Sequence, residues 1–347
     1  MSLTVLSVAY PFAPVGPDAV GGAEQVLGQL DAALVRAGHR SIVVASGCSR
    51  VAGELVATDT PEEPFRDDQR QATWAAHRDA IERVLESQHV DVVHLHGVDF
   101  HAYLPAPGRV PLLATLHLPP SWYPPEVFAA TRDDVHLHCV SRTQQRAVPQ
   151  GARLLPPIIN GVPVQALQSH CSKRNFALAL GRICPEKNLH AALDAGLGAG
   201  VPVLLAGQVF PYPDHEAYFR EKIVPRLDGT RHFIGPLDFT RKRRLLSAAR
   251  CLLLPTLAPE TSSLVAMEAL ACGTPVVAFA SGAIPEIVQH GETGFLVHDP
   301  VGMAAAIRQC ARISPDHCRA VARERFSAER MARDYLDVYR RLAAGAR

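Results

Sequence analysis

Short apolar runs, many of them rich in β-branched residues, alternate along the chain with longer segments whose apolar residues recur at helical spacing. This alternation is typical of βα units wound around a parallel sheet. In the first half, the runs predict strands at Leu3–Ala9, Ser41–Ala45, Asp91–His96, Leu112–His117 and His136–Val140. The segments between them predict helices at Ala23–Ala37, Gln69–Gln88 and Ser141–Val148, with Ser141 as the N-cap of the last helix.

The pattern is interrupted at Leu155–Pro163, which is rich in proline, and by a polar stretch that ends at Asn175, so we expect a linker there. A second βα series follows. Its predicted strands are Phe176–Leu180, Pro202–Ala206, His232–Ile234, Cys251–Leu254, Pro275–Ala278 and Phe295–Val297. Its predicted helices are Asn188–Leu197, His215–Leu227, Phe239–Ala248, Ser262–Cys272 and Pro300–Arg312, and a final helix is predicted at Ser327–Leu342.

The two series predict an α/β fold class with two Rossmann-like, doubly wound parallel-sheet domains. We place the N-terminal domain at residues 1–160, the second domain at 161–326, and a C-terminal helix that packs back on the first domain at 327–347. Ligands of open α/β sheets bind beyond the carboxyl ends of the strands. Function is therefore expected on the strand-to-helix loops, which we expect to face a central cleft.

The charge balance narrows the classes of partner. The chain of 347 residues has 35 Lys and Arg against 34 Asp and Glu, a formal net charge of +1. Such a balance gives no overall field for nucleic acid, and no basic run is interleaved with aromatic residues, so we expect no nucleic-acid partner. The one local basic run, Arg241–Arg244, is interpreted as a solvated helix face.

The cysteines and the apolar runs bear on the cellular compartment. The eight cysteines form no Cys-x-x-Cys pair, and several lie inside apolar runs, which indicates reduced thiols rather than a disulfide or zinc framework. The first residues lack the basic segment of a signal peptide, and no run reaches the ~18 apolar residues of a membrane span. We therefore expect a cytoplasmic protein with at most peripheral membrane contact, and the oligomeric state stays open.

Two loops carry groups suited to a phosphate. After the first predicted strand, a long loop ends in Gly21-Gly22 and opens a helix, so backbone N–H groups and the helix N-terminus can meet an anion there. An ordinary tight turn is the alternative interpretation. In the second half, Arg182 and Lys187 lie on the loop after a strand, where two cations can neutralise a diphosphate in place of a metal. The alternative for these two is a surface pairing with Glu186.

Two carboxylates accompany one helix N-terminus in the stretch Pro259–Val277. Glu260 lies just before the predicted helix, which Thr261 to Ser263 can cap, and Glu268 lies more than one turn inside it. One carboxylate can receive sugar hydroxyls and the other ribose hydroxyls, with a diphosphate between them on the helix N–H groups. Two exposed acids near a helix N-terminus are the alternative.

Histidines and aromatic residues follow two strands of the first half. His94 and His96 share one face of a strand end, with Asp99 and His101 just beyond, so this cluster could bind zinc or, through His96, contact substrate. His117 ends the next predicted strand, and the proline-rich loop after it carries Trp122 and Tyr123. These rings can pack on sugar faces or simply cover hydrophobic surface.

Taken in order, these segments resemble glycosyltransferase family 4. The Glu260-x7-Glu268 spacing followed by Ala269-x-Ala-Cys-Gly-Thr-Pro-Val276 is similar to the donor-site signature of that family. The other matching segments are Gly21-Gly22-Ala23-Glu24, Thr115-Leu-His117, Asn160-Gly-Val162, Gly181-Arg182 with Lys187, His232-Phe-Ile-Gly235-Pro-Leu237, and Gly291–Val297. One departure lies after Glu260, where Thr261-Ser-Ser263 replaces the Gly-Phe-Gly-like sequence common in the family, so the identity of the donor sugar stays open.

The resemblance implies a GT-B fold and a retaining, metal-independent transfer from a UDP- or GDP-sugar to a carbohydrate, lipid-linked or small-molecule acceptor. It implies no cofactor beyond the nucleotide-sugar co-substrate. As catalytic residues it implies His117 beneath the sugar, Glu260 on the sugar hydroxyls, and Arg182 with Lys187 on the diphosphate. As donor-binding residues it implies Gly21, Gly22, Gly235, Leu237, Ser263, Leu264, Val265 and, on the ribose, Glu268. His96, Trp122 and Tyr123 would lie on the acceptor side.

Two other functions fit the same motifs. A nucleotide-sugar epimerase of this fold would isomerise the donor without transfer, and a non-catalytic nucleotide-sugar-binding subunit would support a partner enzyme. The presence of both glutamates, both cations and His117 argues against the silent subunit, because a decayed site should have lost some of them.

Overall fold

The computed structural model describes residues 2–59, 66–129, 132–169 and 171–345. The chain divides into two compact units, one formed by Met1–Gly161 with Ala328–Arg347 and the other by Val162–Ser327. The domain boundaries drawn from the sequence lie one residue from these. Each unit is built on its own parallel sheet, which confirms the predicted α/β class of two parallel-sheet domains.

The first unit has a seven-stranded sheet in the order β3-β2-β1-β4-β5-β6-β7, and its neighbouring strands are parallel. Its strands are β1 (Thr4–Val8), β2 (Arg40–Ser46), β3 (Glu54–Thr58), β4 (Val92–Leu95), β5 (Leu112–Leu116), β6 (Val135–Cys139) and β7 (Leu154–Leu155). Its first helices are α1 (Gly22–Arg36), α2 (Asp67–Ser87) and α3 (Arg142–Arg146).

The central strands β1, β2, β4 and β5 are buried along nearly their whole length, because helices cover both faces of a doubly wound sheet. The sequence pattern missed the edge strands β3 and β7. The first is only partly buried and its apolar run, Leu55–Ala57, has three residues, and the second strand has two residues in all. Ser141 is the N-cap of α3, and its hydroxyl accepts a hydrogen bond from the N–H of Gln144, as predicted.

The second unit has a six-stranded parallel sheet in the order β10-β9-β8-β11-β12-β13. Its strands are β8 (Ala177–Leu180), β9 (Val203–Ala206), β10 (Arg231–Phe233), β11 (Cys251–Leu254), β12 (Val276–Phe279) and β13 (Gly294–Val297). Its helices are α4 (Val164–Leu167), α5 (Leu189–Ala199), α6 (Pro213–Tyr218), α7 (Phe239–Ala248), α8 (Leu264–Ala271), α9 (Ile284–Ile287), α10 (Pro300–Gln309) and α11 (Pro315–Arg325).

The helix predicted over His215–Leu227 is wrong as one regular element. The chain forms α6, then a π-helical turn at Phe219–Ile223, then a 3-10 turn at Val224–Arg226. Pro225 lies in the last turn, where its missing N–H cannot continue an α-helix. Helix α11, which begins after Ser314 caps its N-terminus, was not predicted.

A final helix, α12 (Ala328–Gly345), belongs to the first unit and contacts α1 and β4. Its predicted apolar positions Met331, Tyr335 and Val338 are buried, and Leu342 is half-buried. Tyr339, on the same face, is also fully buried. None of the helices in the described ranges is long and apolar enough to cross a bilayer.

Candidate functional site

In the second unit, the strand order reverses between β8 and β11, so the loops that follow these neighbouring strands start side by side. Asn188 adopts a left-handed conformation at φ +52°, and its side-chain amide donates to the carbonyl of Pro255 at 3.1 Å. The carbonyl of Glu186 accepts from the N–H of Leu257 at 2.9 Å. The two loops are therefore joined by a backbone hydrogen bond and by the Asn188 side chain, independently of the charged side chains.

Lys187 and Glu260 meet across these joined loops. The Nζ of Lys187 lies 2.5 Å from Oε1 of Glu260, and the two side chains are 27% and 14% exposed. The alternative pairing of Lys187 with Glu186 is wrong, because the Glu186 backbone turns toward the loop after β11 and Lys187 reaches Glu260 instead. Arg182, the other predicted cation, is exposed at the start of the same loop.

The backbone of Glu260 is held from the loop after β12. The N–H of Ala283 donates to the Glu260 carbonyl at 2.7 Å, and the Ser281 hydroxyl donates to the carbonyl of Ala258 at 2.8 Å. Gly282 has a φ of +56°, and a Cβ there would lie 2.2 Å from the Glu260 carbonyl oxygen. Only glycine allows the two segments to pack this closely.

Helix α8 begins immediately after the Glu260 loop. Ser263, within the predicted capping segment Thr261–Ser263, is its N-cap residue and is buried, but its side chain makes no capping hydrogen bond. The backbone there is extended at φ −121° and ψ 95°, and the first helical residues are Leu264 and Val265. Their N–H groups have no partner within the helix, which is the arrangement that binds anions.

Glu268, in the second turn of α8, is buried and forms an ion pair with Lys242 of α7. The Nζ of Lys242 lies 2.6 Å from Oε1 of Glu268, and the side chains are 16% and 5% exposed. Burial raises the pKa of Glu268, and the nearby Lys242 ammonium opposes that shift. The cation paired with Glu268 is therefore Lys242, and not Arg182 or Lys187, which were predicted to bind the diphosphate.

The interpretation of Arg241–Arg244 as a wholly solvated face is therefore wrong at Lys242. Arg241 and Arg244 are exposed, but Lys242 is on the apolar face of α7, three residues after Phe239 and four before the buried Leu246. Sequence reasoning missed this residue because it considered the run of charges and not its phase on the helix. The spacing of Lys242 from the apolar residues Phe239 and Leu246 is the sequence signal that could have identified it as an inward-facing lysine.

The predicted donor-binding residues Gly235 and Leu237 follow the edge strand β10. Gly235 has a φ of +71°, and its carbonyl accepts from the N–H of Gly207 at 3.0 Å, which joins this turn to the loop after β9. Leu237 is half-buried, and Asp238 caps α7 by accepting from the N–H of Arg241 at 2.7 Å. The turn thus leads directly into the helix that carries Lys242.

One group of side chains in the second unit has the composition of a metal site. Possible ligand atoms of Cys184, Glu186 and His215 all lie within 4.8 Å of one another. Cys184 is buried, His215 is half-buried and Glu186 is exposed. In the described part of the chain this is the one group of three or more such residues that comes together. The His94, His96, Asp99 and His101 cluster, which could have bound zinc, forms no such group.

In the first unit, Gly21 and Gly22 stand at the N-terminus of α1, as predicted. Gly21 is the extended N-cap residue, and a Cβ on it would lie 1.8 Å from Oε2 of Glu24. The Glu24 side chain is buried, and burial raises the pKa of its carboxyl group. A carboxyl group of this chain thus packs over Gly21, a contact that the sequence motif did not reveal.

His96 and His117 belong to a buried hydrogen-bond chain. His96 Nδ1 lies 3.3 Å from His117 Nε2, and His96 Nε2 lies 3.0 Å from His94 Nδ1. His94 continues the chain to the hydroxyls of Thr115 at 2.7 Å and of Tyr339 in α12 at 2.6 Å. In each contact between two neutral imidazoles, one nitrogen donates the hydrogen bond and the other accepts it.

Burial lowers the pKa of every histidine in this chain, because a buried imidazole loses hydration when it becomes charged. The pKa of His117 falls to about 3, with the neighbouring His138 adding to the effect. The pKa values of His94 and His96 fall well below the ordinary value for the same reason. These residues are therefore neutral near pH 7, and His117 can accept or donate a hydrogen bond there without carrying charge.

The aromatic residues of the loop after β5 differ in exposure. Tyr123 is buried, and its hydroxyl accepts from the N–H groups of His117 at 2.9 Å and Leu118 at 3.2 Å. It therefore fixes the backbone that carries His117. Trp122 is 56% exposed and is the ring of the pair that is open to a sugar face.

Comparison with known proteins follows the same division of the chain. Residues 20–161 match the family model described as Glycosyltransferase Family 4, and residues 175–312 match the model described as Glycosyl transferases group 1. A D-inositol 3-phosphate glycosyltransferase from Nocardioides sp. is 30% identical over 269 residues, which are 74% of this chain and 50% of that protein. A glycogen synthase of Mycobacterium tuberculosis is 31% identical over 165 residues, 46% of this chain and 38% of that protein. The chain thus spans half or less of these relatives' length.

Solved structures agree with the fold over nearly the whole chain. Sucrose-phosphate synthase from Thermosynechococcus elongatus gives a TM-score of 0.79 at 20% identity, covering 99% of this chain and 100% of that one. HepE of Anabaena, solved with UDP-glucose, gives a TM-score of 0.75 at 20% identity, covering 97% of this chain and 99% of that one. At this identity the likeness shows the fold, and it confirms the predicted GT-B class.

Proposed function

Since this chain belongs to glycosyltransferase family 4, we propose that it transfers a sugar from a nucleoside-diphosphate donor to an acceptor hydroxyl with retention of anomeric configuration. The donor is a UDP- or GDP-sugar, and one similar protein, HepE of Anabaena, favours the first. HepE was solved with UDP-glucose, and the Nocardioides relative is named for glycosyl transfer to an inositol phosphate. The acceptor is a carbohydrate, a lipid-linked sugar or a small molecule.

The contact between Lys187 and Glu260 is the observation that carries this proposal. It places a cation and a carboxylate on joined loops at the carboxyl edge of the sheet, where open α/β sheets bind ligands. An ammonium group has three donors and a carboxylate has about four lone-pair sites, so the pair can stay in contact while Lys187 binds phosphate and Glu260 accepts sugar hydroxyls.

The reaction needs negative charge to be stabilised as the nucleoside diphosphate leaves. We assign this task to the cations Arg182 and Lys187 and to the N–H groups of Leu264 and Val265 at the start of α8. The acceptor hydroxyl then approaches the oxocarbenium-like sugar on the face from which the diphosphate departs. No metal has a part in this scheme. The roles of His117, Gly21 and Gly22 in sugar and phosphate contact are predictions from the family resemblance.

A thermal-shift panel of UDP, GDP, ADP and TDP and their sugars tests the donor. A ligand at 100 times its dissociation constant stabilises the folded protein by about 2.7 kcal/mol, so the correct nucleotide should raise the melting temperature measurably. Products formed from that donor with an acceptor panel are then examined by NMR, where the coupling of the anomeric proton reports retention or inversion. An unshifted melting temperature with every nucleotide contradicts the proposal.

Incubation with the donor alone separates transfer from epimerisation. Isomerised donor sugar in the absence of acceptor would support the epimerase, whereas the proposed transferase leaves the sugar configuration of the donor unchanged.

A further inference from the structure

Lys242 is the charged residue near the proposed nucleotide site that the family resemblance does not assign. It reaches from α7 to Glu268 on α8 with 2.6 Å between Nζ and Oε1, and only 16% of its side chain is exposed. In the same basic run Arg241 and Arg244 are exposed, and the half-buried Arg243 donates to the backbone carbonyl of Ala166 and not to a carboxylate. One lysine of the run is therefore withdrawn from solvent to meet one carboxylate.

Stability alone gives a poor reason for this contact. Removing two charges from water costs several kcal/mol per ion, and well-packed apolar residues commonly serve as well or better. Lys242 lies on the inner face of α7, with its ammonium 5.9 Å from the centre of the Phe239 ring and the buried Leu246 one turn further along, a position that suits an apolar side chain. A buried pair retained at this cost suggests that the carboxylate is needed in its charged form and in one orientation.

The hydrogen bonds of Glu268 leave part of it available. Lys242 engages Oε1, and no described residue donates to Oε2. A carboxylate with one oxygen held from behind and the other unengaged can accept hydrogen bonds from two neighbouring hydroxyl groups. The 2′- and 3′-hydroxyls of a ribose form such a pair.

We infer that Lys242 is a positioning residue of the nucleotide site, whose ammonium holds Oε1 of Glu268 so that the other oxygen is presented as an ionised acceptor to the ribose hydroxyls of a nucleoside diphosphate. This inference rests on the proposed function, in which Glu268 contacts the ribose. It assigns recognition of ribose over deoxyribose to a pair of residues, and not to the glutamate by itself.

The test compares two nucleotides on the full chain. The ribonucleoside diphosphate that stabilises the wild-type protein most, chosen from UDP, GDP and ADP, is titrated by calorimetry beside its 2′,3′-dideoxy analogue. The discrimination ratio is the dissociation constant of the dideoxy analogue divided by that of the ribonucleotide. In Lys242→Met this ratio should fall at least ten-fold, through weaker binding of the ribonucleotide. A merely structural lysine would weaken both nucleotides alike and leave the ratio unchanged.

Three further variants make the result specific. Arg244→Met removes an exposed cation from the same helix and should keep the wild-type ratio. Lys242→Gln keeps a donor of similar length without the charge, should also lose discrimination, and replaces Lys242→Met if that protein does not fold. In a Glu268→Gln background, Lys242→Met should change the ratio no further, because residues that act through one contact are not additive.

The outcomes separate the inference from its premise. If the wild-type protein binds no nucleotide, or binds both analogues equally, the assignment of Glu268 to the ribose fails and the inference fails with it. If the wild-type protein discriminates and both Lys242 variants discriminate equally well, the proposed function stands and the role of Lys242 is overturned.

Discussion

Acidification should unfold the first unit through its buried histidines, and His77 offers the cleanest way to measure this. Its ring lies between the hydroxyl of Thr58 and the carbonyl of Ala9, each at 3.1 Å, and it is fully buried. Burial lowers its pKa from 6.5 to about 4. The substitution His77→Gln removes the titrating ring and keeps a polar side chain.

The sign and size of the pH effect on the free energy of unfolding follow from proton uptake by His77. Between pH 6.5 and about 4 the unfolded chain binds a proton at His77 and the folded chain does not. The stability that His77 contributes is therefore complete above pH 6.5 and is lost as the pH falls. One such proton changes the free energy of unfolding by about 1.4 kcal/mol per pH unit. His94, His96, His117 and His138 add in the same direction, whereas the raised pKa values of Glu24 and Asp99 act in the opposite direction.

Urea unfolding followed by tryptophan fluorescence provides the assay. Both tryptophans, Trp74 and Trp122, belong to the first unit, so the signal reports that unit. Between pH 6.5 and 5 the free energy of unfolding should fall less steeply in His77→Gln than in the wild type, by about 1 kcal/mol per pH unit, because the unfolded imidazole is only half protonated at pH 6.5. The matched control is His89→Gln, which removes a histidine ring that is 79% exposed in the same unit. Equal slopes for His77→Gln and wild type would refute the reasoning, whatever the stability lost at pH 7.5.

Three further predictions concern the second unit. Arg182→Ala should lower kcat by more than it weakens donor binding, because its charge stabilises the departing diphosphate, and a change confined to KM would contradict that role. Gly282→Ala should weaken donor binding at least ten-fold by displacing the Glu260 backbone, whereas Gly291→Ala, at φ +82° with nothing within 4 Å of its Cβ, should cost only stability, about 1–3 kcal/mol by urea unfolding. Dialysis against EDTA should leave turnover unchanged, and loss of turnover restored by zinc would instead assign a metal to Cys184, Glu186 and His215.

Much of the fold was available from periodicity. Strands such as β5 and β11 are short apolar runs because both faces of a parallel sheet are covered, and helix α12 shows its buried face through the spacing of Met331, Tyr335 and Val338. The elements that periodicity missed or misjudged have weak local signals. Strand β3 is half exposed at a sheet edge, and the helix predicted over 215–227 changes its winding ahead of Pro225.

The candidate site, like the fold, was only partly predictable from the sequence. The order Gly21-Gly22, Arg182, Lys187, Glu260 and Glu268 comes from local spacing. The contact of Lys187 with Glu260 was not predicted, because it depends on β8 and β11 being neighbours in the sheet. The roles of these residues in sugar transfer stay predictions.

The sequence by itself could not show which side chains contact each other in the folded protein. Lys242 and Glu268 are 26 residues apart, and they pair because α7 packs against α8 with Lys242 on its inner face. Likewise His94 and Tyr339 are far apart in the sequence, and they meet only because α12 packs against β4. The sequence determined which residues lie on which element, because hydrophobic period and turn chemistry act locally. Tertiary packing decided which charges and rings share a buried space, because that depends on how separate elements are placed against each other.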